Sequence, residues 1–250
     1  MFKSLLNKIG FGNAKVDARL RGGAVMQGGT LEGDVFITGS DQSTTIDELY
    51  LKVVTEYTRE SDDYSVRESC TLAEHKLFNR FAVGPREQKT VPFAIQLPFE
   101  TPTTAFGYQK VYLQTTLETS AIFDPNDTDP IEVAPHPHTD RVISAIQSLG
   151  FHLFKVDCEY APRFGGRFPF VQEFEFKPSG EFRGRLDELE AYLKPSPQGI
   201  EIIFQVDRRG GFFNEFFGTD ESYASTRLGI ADLQSQNLPM VLRNLIASRV

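Results

Sequence analysis

The sequence contains no tryptophan and, among its 250 residues, only two cysteines and four histidines. Two cysteines exclude a network of disulfides. Cys70 and Cys158 lie in different halves of the chain, each within a strand-like run, so we expect two free, buried thiols in a reducing compartment. A single bridge between the halves is the alternative. Aromatic packing in the core must depend mainly on the 22 phenylalanines.

Long apolar runs and an excess of basic residues are also missing. No run is long enough to span a bilayer. The first ten residues contain only two adjacent aliphatic side chains where a signal peptide needs an apolar segment. The net charge of -8 disfavours nucleic acid as a partner, because its phosphates attract clustered lysine and arginine, and it disfavours attachment to an anionic membrane. We therefore expect a cytoplasmic protein without stable membrane insertion.

Motifs for catalysis are absent as well. The sequence lacks a Gly-x-Ser-x-Gly nucleophile turn, a phosphate-binding P-loop and a Gly-x-Gly-x-x-Gly turn after a strand. His136 and His138 are close together, but no cysteine or third histidine lies nearby in the sequence to complete a zinc site. We expect no catalytic residue, no cofactor and no metal site, and therefore a protein that is not an enzyme.

One stretch has the beginning of a calcium-loop pattern. Asp124, Asn126 and Thr128 have the spacing of the first three oxygen ligands of an EF-hand. The pattern then fails, because its sixth position is not glycine and its twelfth is not glutamate. A solvated turn within a proline-rich linker, residues 124–138, is the favoured interpretation.

The sequence contains several runs in which apolar residues alternate with polar ones. Leu49, Leu51, Val53, Thr55 and Tyr57 face one way in an extended chain, and mainly polar residues face the other. Similar runs occur at 91–97, 111–119, 154–160, 170–177 and 200–206. Several short strands separated by turn signals predict an all-β protein of sandwich or barrel type rather than an α/β sheet.

One clear helix interrupts the strands, over residues 139–150. Thr139 can cap its first turn, and Gly150 can end it in a left-handed conformation. One apolar stripe follows the helical period, and Phe151 can pack back on it. We interpret this helix as a hinge between two β-rich lobes. The predicted hinge residues are Val142, Ile146, Leu149 and Phe151.

The segments divide the chain as follows. Residues 1–134 form an N-terminal β-sandwich, 135–151 a linker with the connector helix, 152–218 a C-terminal β-sandwich and 219–250 a tail. Short helices are predicted at 2–9 and at 238–249, the second with Asn237 as its N-cap.

An aromatic cluster precedes the tail and has two interpretations. Its members are Phe212, Phe213, Phe216 and Phe217. They belong either to the core of the second lobe or to an exposed apolar patch for a protein partner or a second copy of the chain. They are the candidate partner-binding residues.

Several segments, in this order and spacing, resemble the bacterial sporulation-control protein family, the stage-zero M regulator and its relatives. They are Gly12–Asp17, Leu31–Gly39, Thr45–Leu51, Val91–Pro98, Leu117–Val133, Val142–Cys158, Phe170–Phe176, Asp187–Glu190 and Val206–Gly211. The segment 20–29 lacks the Pro-Gly-Glu that relatives usually carry, and the tail from about 220 resembles nothing that we can assign.

The resemblance implies two arrestin-like β-sandwich lobes and a regulatory role without catalytic residues. We expect a cytoplasmic scaffold or adaptor that binds proteins, with a homodimer as one option. Strand edges of such lobes can bind an extended peptide by strand addition. The alternative is a ligand- or divalent-metal-sensing module in which residues 124–138 bind the ion.

Overall fold

The computed structural model describes residues 10–11, 14–61, 64–107, 109–118, 126–208 and 223–250. Within these ranges the chain is mainly β-strand with three short helices, which confirms the mostly-β class. The finer arrestin-like description stays a prediction. The predicted helix at 2–9 lies outside the described residues. Both cysteines are free, Cys158 buried and Cys70 half-buried.

The strands are β1 (Gly10–Phe11), β2 (Ala14–Leu20), β3 (Val25–Met26), β4 (Thr30–Thr38), β5 (Thr44–Ile46), β6 (Glu48–Ser61), β7 (Tyr64–Phe78), β8 (Phe81–Val83), β9 (Gln88–Gln96), β10 (Val111–Glu118), β11 (Asn126–Ile131), β12 (Val133–Ala134), β13 (Phe151–Tyr160), β14 (Phe170–Pro178), β15 (Leu186–Ser196), β16 (Gly199–Arg208) and β17 (Tyr223–Gly229). The helices are α1 (Pro137–Ser148), α2 (Ile230–Gln234) and α3 (Leu238–Ala247).

The chain forms two compact units. Unit 1 comprises Met1–Glu56, Ser69–Thr101 and Lys110–Ala134. Unit 2 comprises Tyr57–Glu68, Pro102–Gln109 and Pro135–Val250. This division differs from the predicted one, because two excursions from the first half, and the tail after 218, belong to unit 2.

Unit 1 contains two larger antiparallel sheets. One has the strand order β1-β2-β4-β9, and the other runs β11-β10-β6, with β7 pairing with β6. The predicted alternation of β6 is confirmed, since Leu49, Leu51 and Val53 are fully buried. Their apolar face forms part of the core of this unit, together with Val35 and Ile37 of β4.

The predicted linker 124–138 contains two strands within its described part, residues 126–138. β11 pairs with β10 along its whole length, and β12 pairs in parallel with β3. The local sequence suggests a turn because aspartate and proline are frequent in it. The strand forms because the preceding strand, β10, supplies its hydrogen bonds.

Unit 2 is built on antiparallel neighbours in the order β13-β14-β15-β16-β17. One face of this sheet is apolar and contributes residues such as Phe174, Phe176 and Phe204 to the core. The other layer of that core is helical in the described residues, where α1 packs against strands of the sheet and against α3. The opposite face carries many polar residues and, in addition, a smaller buried cluster of Val171, Tyr192 and Ile203.

The predicted helix exists but is displaced by two residues. It begins at Pro137, and the side chain of His136 caps it by accepting a hydrogen bond from the His138 amide. Thr139, predicted as the cap, is instead fully buried inside the helix. Proline at the first position suits a helix start because that amide needs no intrahelical partner. At the other end Gly150 has the expected left-handed conformation, with φ of +86°.

The described tail belongs to the core of unit 2. Helix α3 begins at Leu238, directly after Asn237, as predicted. Leu242 and Ile246 of α3 are completely buried, and Arg141 of α1 donates a hydrogen bond of 3.0 Å to the Leu233 carbonyl. Among the described residues, no helix is both long enough and apolar enough to cross a membrane.

Candidate functional site

Strand β17 is the last strand in the sheet of unit 2. Within the described residues it pairs with β16 alone, so its second edge has no strand partner there. Ala224 and Leu228 are buried in the core, whereas Ser225 and Arg227 are exposed. An edge of this kind presents amide and carbonyl groups that can pair with another extended chain.

Two edge strands of unit 1 differ from β17 in composition. β9 contains Pro92, and β11 contains Pro130. Proline has no amide hydrogen, so it weakens an edge as a template for further pairing. β17 contains no proline in its seven residues, which makes it a better acceptor of an added strand than either of them.

A shallow groove of about 430 Å³ lies where β17 ends beside the β15–β16 turn. Its lining residues include Lys194, Ser196, Gly199, Glu201 and Arg227. The backbone is packed tightly at Gly199, where φ is +153° and a Cβ atom would lie 2.0 Å from the Leu228 carbonyl oxygen. Only glycine permits this approach of β16 to β17.

Charges on the three strands form a ladder across the groove. Glu201 of β16 is in register with Lys194 of β15 and with Arg227 of β17. The Glu201 carboxylate lies 3.6 Å from Lys194 Nζ and 3.1 Å from Arg227 Nη2. Two cations share one carboxylate, so the ladder has one excess positive charge, and it attracts an acidic group.

Helix α1 holds the turn beside the groove. His138 Nδ1 lies 3.1 Å from the Ser196 carbonyl oxygen and 3.1 Å from that of Gly199. Both oxygens are acceptors, so Nδ1 carries the hydrogen and donates it. This contact explains why a histidine stands in the first turn of α1, and it gives His138 a structural role.

The polar face of the same sheet carries a group of closely spaced carboxylates, here called the Glu173 cluster. Its members are Asp157, Glu159, Glu173, Glu175 and Glu190. Strand pairing places Glu173 opposite Asp157 and Glu175 opposite Glu190. Like charges directly opposite each other destabilise a sheet unless a cation or a proton intervenes.

The Glu173 cluster contains both an intervening cation and an intervening proton. Lys155 Nζ lies 2.8 Å from Asp157 and 2.6 Å from Glu175. Glu173 is 8% exposed, and burial, with the nearby and hydrogen-bonded Glu190, raises its pKa to about 9. Burial and Asp157 raise the pKa of Glu159 to about 7. At neutral pH Glu173 therefore holds a proton.

Comparison with known proteins identifies the family. The family model described as SpoOM protein matches residues 2–210. A curated relative, the sporulation-control protein spo0M of Bacillus subtilis (strain 168), is 37% identical over an alignment 251 positions long, which covers 98% of this chain and 97% of the relative.

The chain belongs to the Spo0M family.

The three-dimensional structures agree as well. The crystal structure of Spo0M from Bacillus subtilis matches with a TM-score of 0.87 and 36% identity, over 95% of this chain and 99% of that one. The resemblance that the scattered segments indicate is thereby confirmed, and membership in the Spo0M family supports a regulatory role.

The predicted hinge residues lie within unit 2. Val142, Ile146 and Phe151 are buried in its core, and Leu149 packs against it. Phe151 is the first residue of β13. Its ring lies against that of Phe182, with the ring centroids 5.4 Å apart. A hinge role for them stays a prediction. The candidate partner-binding residues Phe212, Phe213, Phe216 and Phe217 lie outside the described residues.

The remaining sequence candidates also have definite places. Asn126 and Thr128 lie on one strand, β11, so this part of the EF-hand-like stretch is not a loop that wraps around an ion. In the described part of the chain, no group of three or more histidine, cysteine, aspartate or glutamate residues is arranged to hold a metal ion.

Sequence reasoning missed the β17 edge and the charge ladder. The ladder joins residues 194, 201 and 227, which become neighbours only through strand register. The alternation of the apolar Ala224 and Leu228 with the polar Ser225 and Arg227 is the sequence signal that could have shown the strand, and nothing local shows that it lies at an edge.

Proposed function

We propose that this member of the Spo0M family is a cytoplasmic regulatory protein that binds other proteins and has no catalytic activity of its own. The curated relative is named a sporulation-control protein, and we extend that regulatory role to this chain. The observation that carries the proposal is the β17 edge, which lacks a described partner strand and ends at a groove with excess positive charge.

The proposed mode of binding is strand addition. An extended segment of the partner pairs with the backbone of β17, and the main-chain hydrogen bonds supply much of the affinity. An acidic side chain of that segment reaches the ladder, where Arg227, with a side chain 83% exposed, is the accessible cation. Specificity then comes from the groove and affinity from the backbone.

Charge reversal at Arg227 tests this proposal. Affinity purification from the native host, followed by mass spectrometry, should recover a set of proteins with the parent that Arg227→Glu fails to recover. Arg86→Glu is the matched control, because Arg86 is equally exposed and also pairs with a carboxylate, that of Asp41. It should recover the same proteins as the parent.

Hydrogen exchange separates strand addition from other binding modes. A recovered partner should slow amide exchange in residues 223–229 when it is mixed with the parent. Equal recovery by Arg227→Glu and the parent, or exchange in β17 that a partner leaves unchanged, would refute the site. Turnover in a broad screen of substrates by the pure protein would refute the non-enzymatic part, and cell fractionation tests the cytoplasmic location.

A further inference from the structure

Two aspartates of unit 1 point to the buried side of an edge strand. In β11, Asp127 and Asp129 alternate with the exposed Thr128 and Pro130, and they share a face with the buried Ile131. On the neighbouring strand β10, residues 115 and 113 are their direct partners in register. The two carboxylates therefore lie beside the buried residues of β10.

Two oxygen atoms at this place are buried without a hydrogen-bond partner. One is Oγ1 of Thr115, a residue that is 2% exposed and directly opposite Asp127. The other is Oδ2 of Asp129. Buried polar atoms are nearly always paired, and an orphaned atom is commonly explained by a bound water or ion.

The charges at the same place are also unbalanced. Asp17 forms an ion pair with Arg19. Neither Asp127 nor Asp129 takes part in an ion pair among the described residues. The Thr128 amide donates a hydrogen bond of 3.0 Å to Asp127 Oδ1. Burial, and then the charges of Asp127 and Asp17, raise the pKa of Asp129 to about 6. Three carboxylates with one paired arginine leave an excess of negative charge.

We propose that Asp127, Asp129 and Thr115 form a binding site for a hydrated divalent cation, Mg²⁺ or Ca²⁺. Carboxylate and hydroxyl oxygens are ligands that these hard cations prefer, and Mg²⁺ in particular is commonly held by one or two carboxylates with water completing its shell. In the described part of the chain no group of three or more histidine, cysteine, aspartate or glutamate residues could hold a metal ion, so water must complete the shell around these three ligands. The site goes beyond protein binding and lies in the other unit.

Calorimetry and thermal unfolding with MgCl₂ or CaCl₂ alone, at constant ionic strength and pH 7.5, test the site. The parent should bind one of the two ions and unfold at a higher temperature in its presence. Asp129→Asn keeps the shape but removes a charge, and it should bind the ion about 30-fold more weakly or worse, as when one partner of a buried charge pair is removed.

The same variant shows whether a lost response is only a folding defect. Without the ion, Asp129→Asn should unfold at a higher temperature than the parent, because it removes a half-buried charge beside like charges. Thr115→Val should also weaken binding, and unchanged affinity would overturn the hydroxyl as a ligand. Asp41→Asn, at an exposed aspartate of the same unit, is the control and should respond like the parent.

Two results would overturn the site as a whole. One is the absence of both heat and a thermal shift with either ion at about 10 mM, far above the affinities of ordinary calcium sites. The other is an Asp129→Asn protein that responds as strongly as the parent.

Discussion

Replacing Glu173 by glutamine should make unit 2 much less sensitive to alkaline pH. Glu173 is nearly buried on the polar face of the sheet, with Asp157 and Tyr192 opposite it on the two neighbouring strands. It shares a hydrogen bond with Glu190. Glutamine cannot ionise, but its amide hydrogen can still donate to Glu190, as the protonated carboxyl does.

The size of the effect follows from proton linkage. The pKa of Glu173 is raised from 4.5 to about 9 in the folded chain. Between these values the folded state binds more protons than the unfolded state. The contribution of Glu173 to the free energy of unfolding is therefore fully present below the lower value, and it is lost as pH rises towards the upper one. The slope approaches 2.303RT per pH unit, so the change amounts to roughly 3 kcal/mol between pH 6 and pH 8.

Urea unfolding at pH 6, 7 and 8, followed by far-ultraviolet circular dichroism, measures this slope. The stability of Glu173→Gln relative to the parent should increase by roughly 3 kcal/mol over that range. Glu188→Gln is the control, because Glu188 lies on the same face but is paired with Lys177, and its difference from the parent should stay constant. Parallel stability curves for Glu173→Gln and the parent would refute the reasoning.

Two further substitutions test the packing of unit 2. Gly199→Ala would place a Cβ atom 2.0 Å from the Leu228 carbonyl oxygen, so thermal unfolding should show a loss of about 2 kcal/mol or more. Gly166→Ala, which also has positive φ but meets no atom within 4 Å, should lose less, and equal losses would refute the steric argument. Ile146→Asp buries an unpaired carboxylate at a fully buried position and should raise protease sensitivity near residues 135–152. Gln147→Asp, on the exposed side of α1, should not, and a resistant Ile146→Asp protein would mean that this side chain does not hold α1 in place.

The sequence is informative wherever a pattern is local. The alternation at residues 49–57 predicts β6 because every second side chain enters the core, a property of the strand itself. The same holds for the period of α1, whose apolar stripe becomes its buried face. The start of α1 was predicted less well, because Thr139 suits an N-cap locally, whereas the helix begins at Pro137 with His136 as its cap and Thr139 is buried within it.

Contacts between separate elements account for what the sequence did not predict. β11 contains aspartates and a proline, so its composition indicates a turn, yet hydrogen bonds from β10 make it a strand. The tail after residue 218 has its own strand and helices, and their apolar residues are buried only because unit 2 provides the opposite surface.

The sequence by itself determined the mostly-β class, the position of one helix and the family, since each depends on residue order or on local periodicity. Tertiary structure alone decided which segments form each unit, that β17 lies at an edge, and that the buried Glu173 and the half-buried Asp129 lie beside other carboxylates. The physical reason is that periodicity specifies which face of a strand is apolar but not which strand lies next to it. The charges that meet across a sheet, and with them the candidate sites, are set by that choice of neighbour.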